Sequence, residues 1–547
     1  MNRPCLLHCV CNDLIQSFSM NFQMNHYLIS AVALAIGTFV NVTAQAQATP
    51  VVQGPEAVAD WFNAGQSFID QGKALHDNNR RAKNVILFVG DGMGMSTVTA
   101  ARILEGQLKS KPGEENRLSF DRFPYTALSK TYSWDQQTSD SAPTMTAMAT
   151  GYKAREGQLS VNHTTPRGEC NAAVIDTKKV RTVLEHAADL GKSTGIVTTA
   201  RITHATPAAL YAHTAMRDWE ADSNLPVNDI NTGATCRGAD HAVKDIARQM
   251  IEVSPRVRQS LKVALGGGRT YFLPNSVMDP EYAKDKGRRL DGRDLTQEWV
   301  TSRSPYGRAS YAWNKAQFDA FEPANNSYLL GLFEPSHVQY EADRANDPAG
   351  EPSLTEMTDK ALRVLLKDPK GFFLHVEGGR IDHAHHAGNA SRALTDTIEF
   401  SNAIQRTVDV LKAAGTLEDT LIIVTADHSH TFTIAGYPSR GNNILGLVRE
   451  VPAKDGNPLK NSLDANGKPY TTLAYTNGPG YRAGGRPDLT NVDTTNVEFL
   501  QEAMVPMASE THAGEDVPVY ARGPKAHLVR GSMEQNWIFH VMMEALK

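Results

Sequence analysis

Three short stretches of this 547-residue chain gather acids and histidines in a pattern suited to holding divalent cations. They are Gly90-Asp91-Gly92-Met93-Gly94, then Glu377-Gly378-Gly379-Arg380-Ile381-Asp382-His383-Ala384-His385-His386, and finally Ala426-Asp427-His428-Ser429-His430. Alone, an Asp-Gly pair is ordinarily a turn, and His-Ala-His-His reads equally as a solvated patch. What singles the three out is that each directly follows a short apolar run. Asp382 and His386 are four residues apart, so on a helical turn both project to one side and can share a cation. Asp427 and His428 are adjacent at the end of their run, where irregular backbone can turn both toward one centre. Mixed carboxylate and imidazole donors suit zinc, whereas carboxylates supplemented by hydroxyl and water suit magnesium.

A nucleophile is offered by Ser141 in Thr138-Ser139-Asp140-Ser141-Ala142-Pro143-Thr144, ahead of a helical run, Met145–Thr150, that Gly151 ends. Serine at a helix start faces free backbone N–H groups and the positive end of the helix dipole, which favours an anion such as phosphate. The plain structural alternative is an N-cap serine. No Gly-x-Ser-x-Gly elbow surrounds Ser141, so lowering its hydroxyl pKa falls to a metal rather than to a histidine base.

These residues need a frame that brings strand ends together. Asn84–Gly90, Gly195–Thr199, Gly371–Val376 and Thr420–Thr425 are short, continuous apolar runs bounded by turn residues, as expected of strands buried on both faces. Between them, Val180–Leu190, Glu356–Leu366 and Ala393–Leu411 show helical periodicity. The alternation predicts an α/β fold with a mostly parallel central sheet and helices on both faces. Ligands then belong at the C-terminal ends of the strands, where all three clusters fall. Two polar, Pro/Gly-dotted regions, Leu273 to about Asn326 and Gly441–Gly485, read as insertions on the sheet.

Composition is that of a folded globular protein, with 41% hydrophobic and 21% charged residues. A formal charge of -5 argues against a broad basic surface for nucleic acid or anionic lipid. Tyr27–Val40 is a mostly apolar segment too short for the roughly 20 residues of a spanning helix, and Ala44-Gln45-Ala46 follows it as a cleavage signal. Residues 1–46 therefore read as an N-terminal extension and signal peptide, although no Lys or Arg lies between Met20 and Ala46. Translation from Met20 or Met24 would account for the extension. Cys5, Cys9 and Cys11 fall before the cleavage point, leaving Cys170 and Cys236 either as one disulfide in an oxidising compartment or as two buried thiols.

With these residues assembled, the chain closely resembles the alkaline phosphatases from about residue 80 to 545. The resemblance is carried in order by Asp91-Gly92-Met93-Gly94, Asp140-Ser141-Ala142-Pro143-Thr144, His204-Ala205-Thr206-Pro207-Ala208, Val376 to His386, Thr425 to His430, and Glu510 to Val517. The wording is nearer the animal-type enzymes, because His204 and His383 stand where the best-known enterobacterial form has Asp and Lys. The resemblance implies a catalytic domain over residues 47–547, a crown-like insertion over about 432–510, a homodimer, and export to the periplasm or the medium. It also implies that Asp382, His386 and His512 bind a first zinc, and that Asp91, Asp427, His428 and Ser141 bind a second. Asp91, Thr206 and Glu377 would hold magnesium, with His204 and His383 acting behind the ligands. Arg217 would clamp phosphate with its planar fork. A calcium site is implied at Glu281, the Phe333 carbonyl and Glu334, with Glu351 or Asp347 as the fourth ligand. Cys170 matches a family cysteine, while Cys236 lies several residues before its counterpart.

The activity so implied is hydrolysis of small phosphate monoesters through a phosphoserine intermediate, with release of inorganic phosphate. The competing readings are a phosphodiesterase or sulfatase of the same superfamily, and a non-catalytic exported phosphate- or zinc-binding protein. A sulfatase needs Cys/Ser-x-Pro-x-Arg, and Ser141-Ala142-Pro143 is followed by Thr144-Met145, without the arginine.

Overall fold

Asn84–Gly90 (β1) is buried along its whole length. Alternation along a strand sends successive side chains to opposite faces. Val85, Leu87 and Val89 join one hydrophobic core, and Ile86 and Phe88 join a second. In the computed structural model, which describes residues 58–547, β1 lies inside a ten-stranded sheet with a core on each face. The extension, the apolar segment Tyr27–Val40, the cleavage signal at Ala46 and Cys5, Cys9 and Cys11 lie outside the described residues. Among the described residues no helix is long and apolar enough to cross a membrane.

The other strands, in chain order, are Tyr125–Lys130 (β2), Ser193–Arg201 (β3), Leu261–Gly267 (β4), Ala309–Ala312 (β5), Tyr328–Leu332 (β6), Phe372–Gly378 (β7), Thr420–Ala426 (β8), Ser429–His430 (β9), Phe432–Ile434 (β10), Arg449–Glu450 (β11), Lys460–Asn461 (β12), Leu473–Gly478 (β13), Ala503–Pro506 (β14), His512–Ala513 (β15), Val517–Arg522 (β16) and Ser532–Glu534 (β17). The large sheet runs β17-β2-β16-β8-β1-β7-β3-β4-β6-β5. Every pairing in it is parallel except those of β16, which is antiparallel to both β8 and β2. The expected mostly parallel sheet with helices on both faces is therefore present. One core takes residues of helices Ser141–Thr150 and Trp537–Leu546, and the other takes residues of Leu354–Leu365 and Ala390–Ala413.

Two expectations need correction. The helix read over Val180–Leu190 is Val183–Asp189, because Thr182 caps it and Glu185 reaches back to close a capping box. The stretch from Leu273 to Asn326 is not simply an insertion. It contains helix Leu295–Arg303, whose Trp299 is fully buried, and β5, the edge strand of the large sheet. Between β8 and β16 the chain forms smaller sheets, β10-β13-β14, β11-β12 and β15-β9. Cys170 and Cys236 form a disulfide, their Cα atoms 5.9 Å apart. It lies in a satellite core with Val161, Ile175, Ala215 and Trp219, the last two flanking Arg217.

Candidate functional site

Register assembles the site. β1 pairs in parallel with β7 and β8 so that Gly90 lies opposite both Gly378 and Ala426. Asp91 and Asp427 thus emerge at one level just past the C-terminal ends of β1 and β8, while Glu377 sits lower on β7, opposite Val89. All three are fully buried. Ser141 reaches the same place from helix Ser141–Thr150. Its N-cap is Asp140, which accepts from the Ala142 N–H at 3.3 Å, and the helix ends at Gly151 with φ +81°. Ser141 is therefore the first helical residue, not the cap.

Around Ser141 Oγ, His428 Nε2 lies at 3.1 Å and Asp91 Oδ1 at 3.4 Å. His428 Nε2 is also 3.3 Å from Asp91 Oδ1 and 3.3 Å from Asp427 Oδ2. Asp427 Oδ1 is held by the N–H groups of Gly92 and His428, which leaves Oδ2 turned to the cluster.

The second donor set adjoins the first, the rings of His428 and His512 stacking at 3.6 Å. Asp382 Oδ1 is 3.3 Å from Nε2 of His386 and 3.3 Å from Nε2 of His512. Each of these histidines donates from Nδ1 to a backbone carbonyl, His386 to Glu510 at 2.5 Å and His512 to Ser139 at 2.7 Å. Both Nε2 lone pairs therefore face inward, 3.1 Å apart. Opposed lone pairs beside a carboxylate repel unless a cation lies between them, so the donor chemistry fits a metal. Burial alone would raise the Asp382 carboxyl, but His386, His430 and His512 hold it well below the usual carboxylate range.

A third set adjoins Asp91. Asp91 Oδ2, Glu377 Oε1 and Thr206 Oγ1 are buried and lack hydrogen-bond partners, while the other Glu377 oxygen accepts from Thr198 Oγ1. Three orphaned oxygens converging on one spot are costly without a cation. Burial, then repulsion from Asp427 and Asp382, raises the Asp91 carboxyl, and burial pushes Glu377 up to about 7.

Arg217 borders the nucleophile. Its Nη1 meets Asp140 Oδ2 at 3.1 Å and its Nη2 donates to His204 Nε2 at 2.8 Å. Because His204 Nε2 is the acceptor, the proton of this neutral ring belongs on Nδ1, which has no partner among the protein atoms. Burial, then the charge of Arg217, keeps His204 well below its ordinary pKa. His383 Nδ1 likewise accepts from Arg380 Nη1 at 3.2 Å.

A separate acidic cluster contains Glu281, Glu334, Asp347 and Glu351. Tyr282 Oη donates to both Glu334 and Asp347, and Arg269 pairs with Glu281 at 2.6 Å. Asp347 Oδ2 and Glu351 Oε2 are buried without partners. Burial, with the neighbouring acids, pushes Glu334 up to about 8 and Glu351 to about 9. Phe333, just before Glu334, is buried. Both fourth-ligand alternatives therefore fall within the cluster.

Three residues escaped the sequence reading. His430 Nε2 is 2.8 Å from Asp382 Oδ1, and Glu510 Oε2 is 2.6 Å from His430 Nδ1. Asp140 joins the nucleophile helix to Arg217. His430 had a signal, since it follows His428 by two and an extended backbone sends both to one side. Asp140 and Glu510 had none beyond membership of their motifs.

Comparisons with known proteins point to one family. A family model described as alkaline phosphatase matches residues 82–547. The human tissue-nonspecific alkaline phosphatase isozyme is 46% identical over 473 residues, spanning 86% of this chain and 84% of that protein. The alkaline phosphatase of Gadus morhua is 44% identical over 491 residues, spanning 89% and 96%. Among solved structures, the Thermus thermophilus alkaline phosphatase superposes with a TM-score of 0.58 at 23% identity, spanning 86% of this chain and 93% of that one. The enzyme of the Antarctic bacterium TAB5 does so with a TM-score of 0.55 at 24% identity, spanning 86% and 98%.

Proposed function

The chain belongs to the alkaline phosphatase family and hydrolyses phosphate monoesters with the help of bound metal ions, and from that premise we propose which residues do the work. Asp382, His386 and His512 hold a first zinc, and Asp91, Asp427, His428 and Ser141 a second. Asp91, Thr206 and Glu377 hold magnesium, and His204 supports that site as a donor through Nδ1–H, not as a ligand. Glu281, the Phe333 carbonyl, Glu334 and either Glu351 or Asp347 hold calcium. The contacts of Ser141 Oγ with His428, whose ring stacks on His512, and with Asp91, which the third donor set shares, carry this reading.

Bound divalent cations would lower the pKa of a coordinated hydroxyl and neutralise charge on the entering and leaving oxygens of an in-line displacement. Ser141 Oγ attacks phosphorus, and the P–O bond to the alcohol breaks with its electron pair leaving on the ester oxygen. Arg217, fixed by Asp140 and His204, presents its remaining N–H groups to the equatorial oxygens. Water then attacks the phosphoserine from the vacated side, and the bond to Ser141 Oγ breaks to release inorganic phosphate. The Ser141→Ala variant is expected to keep its metal content but form no phosphoenzyme. Labelled phosphate trapped on that variant at wild-type stoichiometry would remove Ser141 from this role.

The catalytic domain spans residues 47–547 with a crown-like part over about 432–510. Residues 1–46 serve as extension and signal, taking the protein to the periplasm or the medium, where the Cys170–Cys236 disulfide is stable. The working form is a homodimer, as the family resemblance implies.

A further inference from the structure

The small sheet β10-β13-β14 lies outside the large sheet, yet its central strand reaches the first cation site by two routes. On one, the buried Tyr475 hydroxyl meets His385 Nδ1 at 2.8 Å, and His385 Nε2 meets Thr97 Oγ1 at 2.9 Å. The His385 ring, pinned at both nitrogens, stacks on His430 at 4.8 Å and 30°. His430 in turn contacts Asp382. On the other, Asn477 Oδ1 accepts from the Thr511 N–H at 3.0 Å and its amide donates to Thr511 Oγ1 at 2.9 Å. Thr511 lies between Glu510 and His512, and a Cβ on Gly478 would come within 3.0 Å of Glu510 Cβ.

Glu510 is the junction of these routes. Its backbone N–H donates to the His386 carbonyl at 2.9 Å, and its own carbonyl takes the His386 Nδ1 proton. Its carboxylate is 1% exposed with both oxygens engaged. One accepts from the N–H and Oγ1 of Thr431 at 2.7 and 2.6 Å, and the other meets His430. His430 is thereby gripped between Glu510 and Asp382, with His385 against its face.

We propose that Glu510 and Tyr475 are positioning residues for the first cation site, and that β13 is the scaffold that sets its ligand geometry. The proposal rests on assigning that site to Asp382, His386 and His512. Partners that orient metal ligands contribute strongly to affinity, their loss typically costing about 10- to 100-fold. Glu510→Ala removes a direct grip on His430, so it falls near the lower end of that range. Tyr475→Phe deletes one hydroxyl, acts one ring further out and has a smaller effect.

The test follows zinc content of purified holoenzyme by elemental mass spectrometry during timed exposure to a chelator, with thermal midpoints in parallel. Glu510→Ala is expected to release the first zinc about tenfold faster and Tyr475→Phe about threefold faster. Release of the second zinc and the thermal midpoint of Tyr475→Phe should stay at wild-type values. His512→Ala serves as reference and should be isolated one zinc short. If His512→Ala retains full zinc, the assignment of the site is wrong. If it lacks one zinc while Tyr475→Phe and Glu510→Ala lose theirs at the wild-type rate, the positioning role is wrong. Should Glu510→Ala not fold, Tyr475→Phe alone decides, because it removes a single buried oxygen.

Discussion

Replacing Arg217 by Ala isolates what the guanidinium does for phosphate. Two of its five N–H groups are spent on Asp140 and His204, leaving enough of the fork for paired bonds to phosphate oxygens. A hydrogen bond to a charged group contributes about 1.5 to 3 kcal/mol. The lower figure applies here, because the side chain is 20% exposed and bound cations would share the load. Two such bonds total about 3 kcal/mol, which corresponds to phosphate binding weakened roughly 100-fold. Arg217→Lys keeps the charge but loses the fork, so it should fall between, at roughly 10-fold. Asp140 remains anchored by the N–H groups of Ala142 and Gly157, so helix Ser141–Thr150 keeps its cap and the protein its fold. The assay is competitive inhibition by inorganic phosphate against a chromogenic monoester, with metal content measured on the same samples. An inhibition constant for Arg217→Ala within twofold of wild type, at full metal content, would refute the argument.

Stability should respond to pH through the Glu334 and Glu351 cluster. Their folded pKa values of about 8 and about 9 exceed the unfolded value of about 4.3, so the folded state binds more protons between them. Without a cation, stability should fall as pH rises through that window, and added calcium should raise the thermal midpoint more at pH 9 than at pH 6. An equal rise at both pH values would count against a site there. Gly92→Ala should cost at least about 2 kcal/mol, since φ is +67° and the new Cβ would lie 2.3 Å from His430 Nε2. Zinc content should fall with it, and a variant with wild-type melting and full zinc would show that the close approach is not needed.

The strands that could be read were those whose burial is written into composition. β1, β7 and β8 are continuous apolar runs because helices cover both faces of the sheet at their positions. β2, with four of its six residues exposed or half-buried, and β5, four residues at the sheet edge, carry no such signal. β16 is wholly buried but for its last residue, yet it contains Pro518, which argues against a strand until the antiparallel pairing with β2 and β8 is seen. The stretch around Trp299 reads as polar because half of the buried face of its helix, Leu295, Thr296, Trp299 and Arg303, is made of a threonine and an arginine.

The proposed donors Asp91, Glu377, Asp382, His386, Asp427 and His428 were legible for a different reason, whereas His512 and Thr206 came only from the family resemblance. A metal restricts its ligands to a few side-chain types, and a parallel sheet restricts them to strand ends, so two independent filters select the same residues. No such filter acts on the residues that aim the donors. Asp140 serves Arg217 across 77 positions, Glu510 serves His430 across 80, and Tyr475 serves His385 across 90. A buried acid or hydroxyl of this kind needs only some partner, and which partner it meets is decided by the packing of distant segments. Affinity for the first cation should therefore follow Glu510 and Tyr475 as well as the three ligands. A chain carrying every ligand but lacking those two supports would present the same donors in a looser and weaker site.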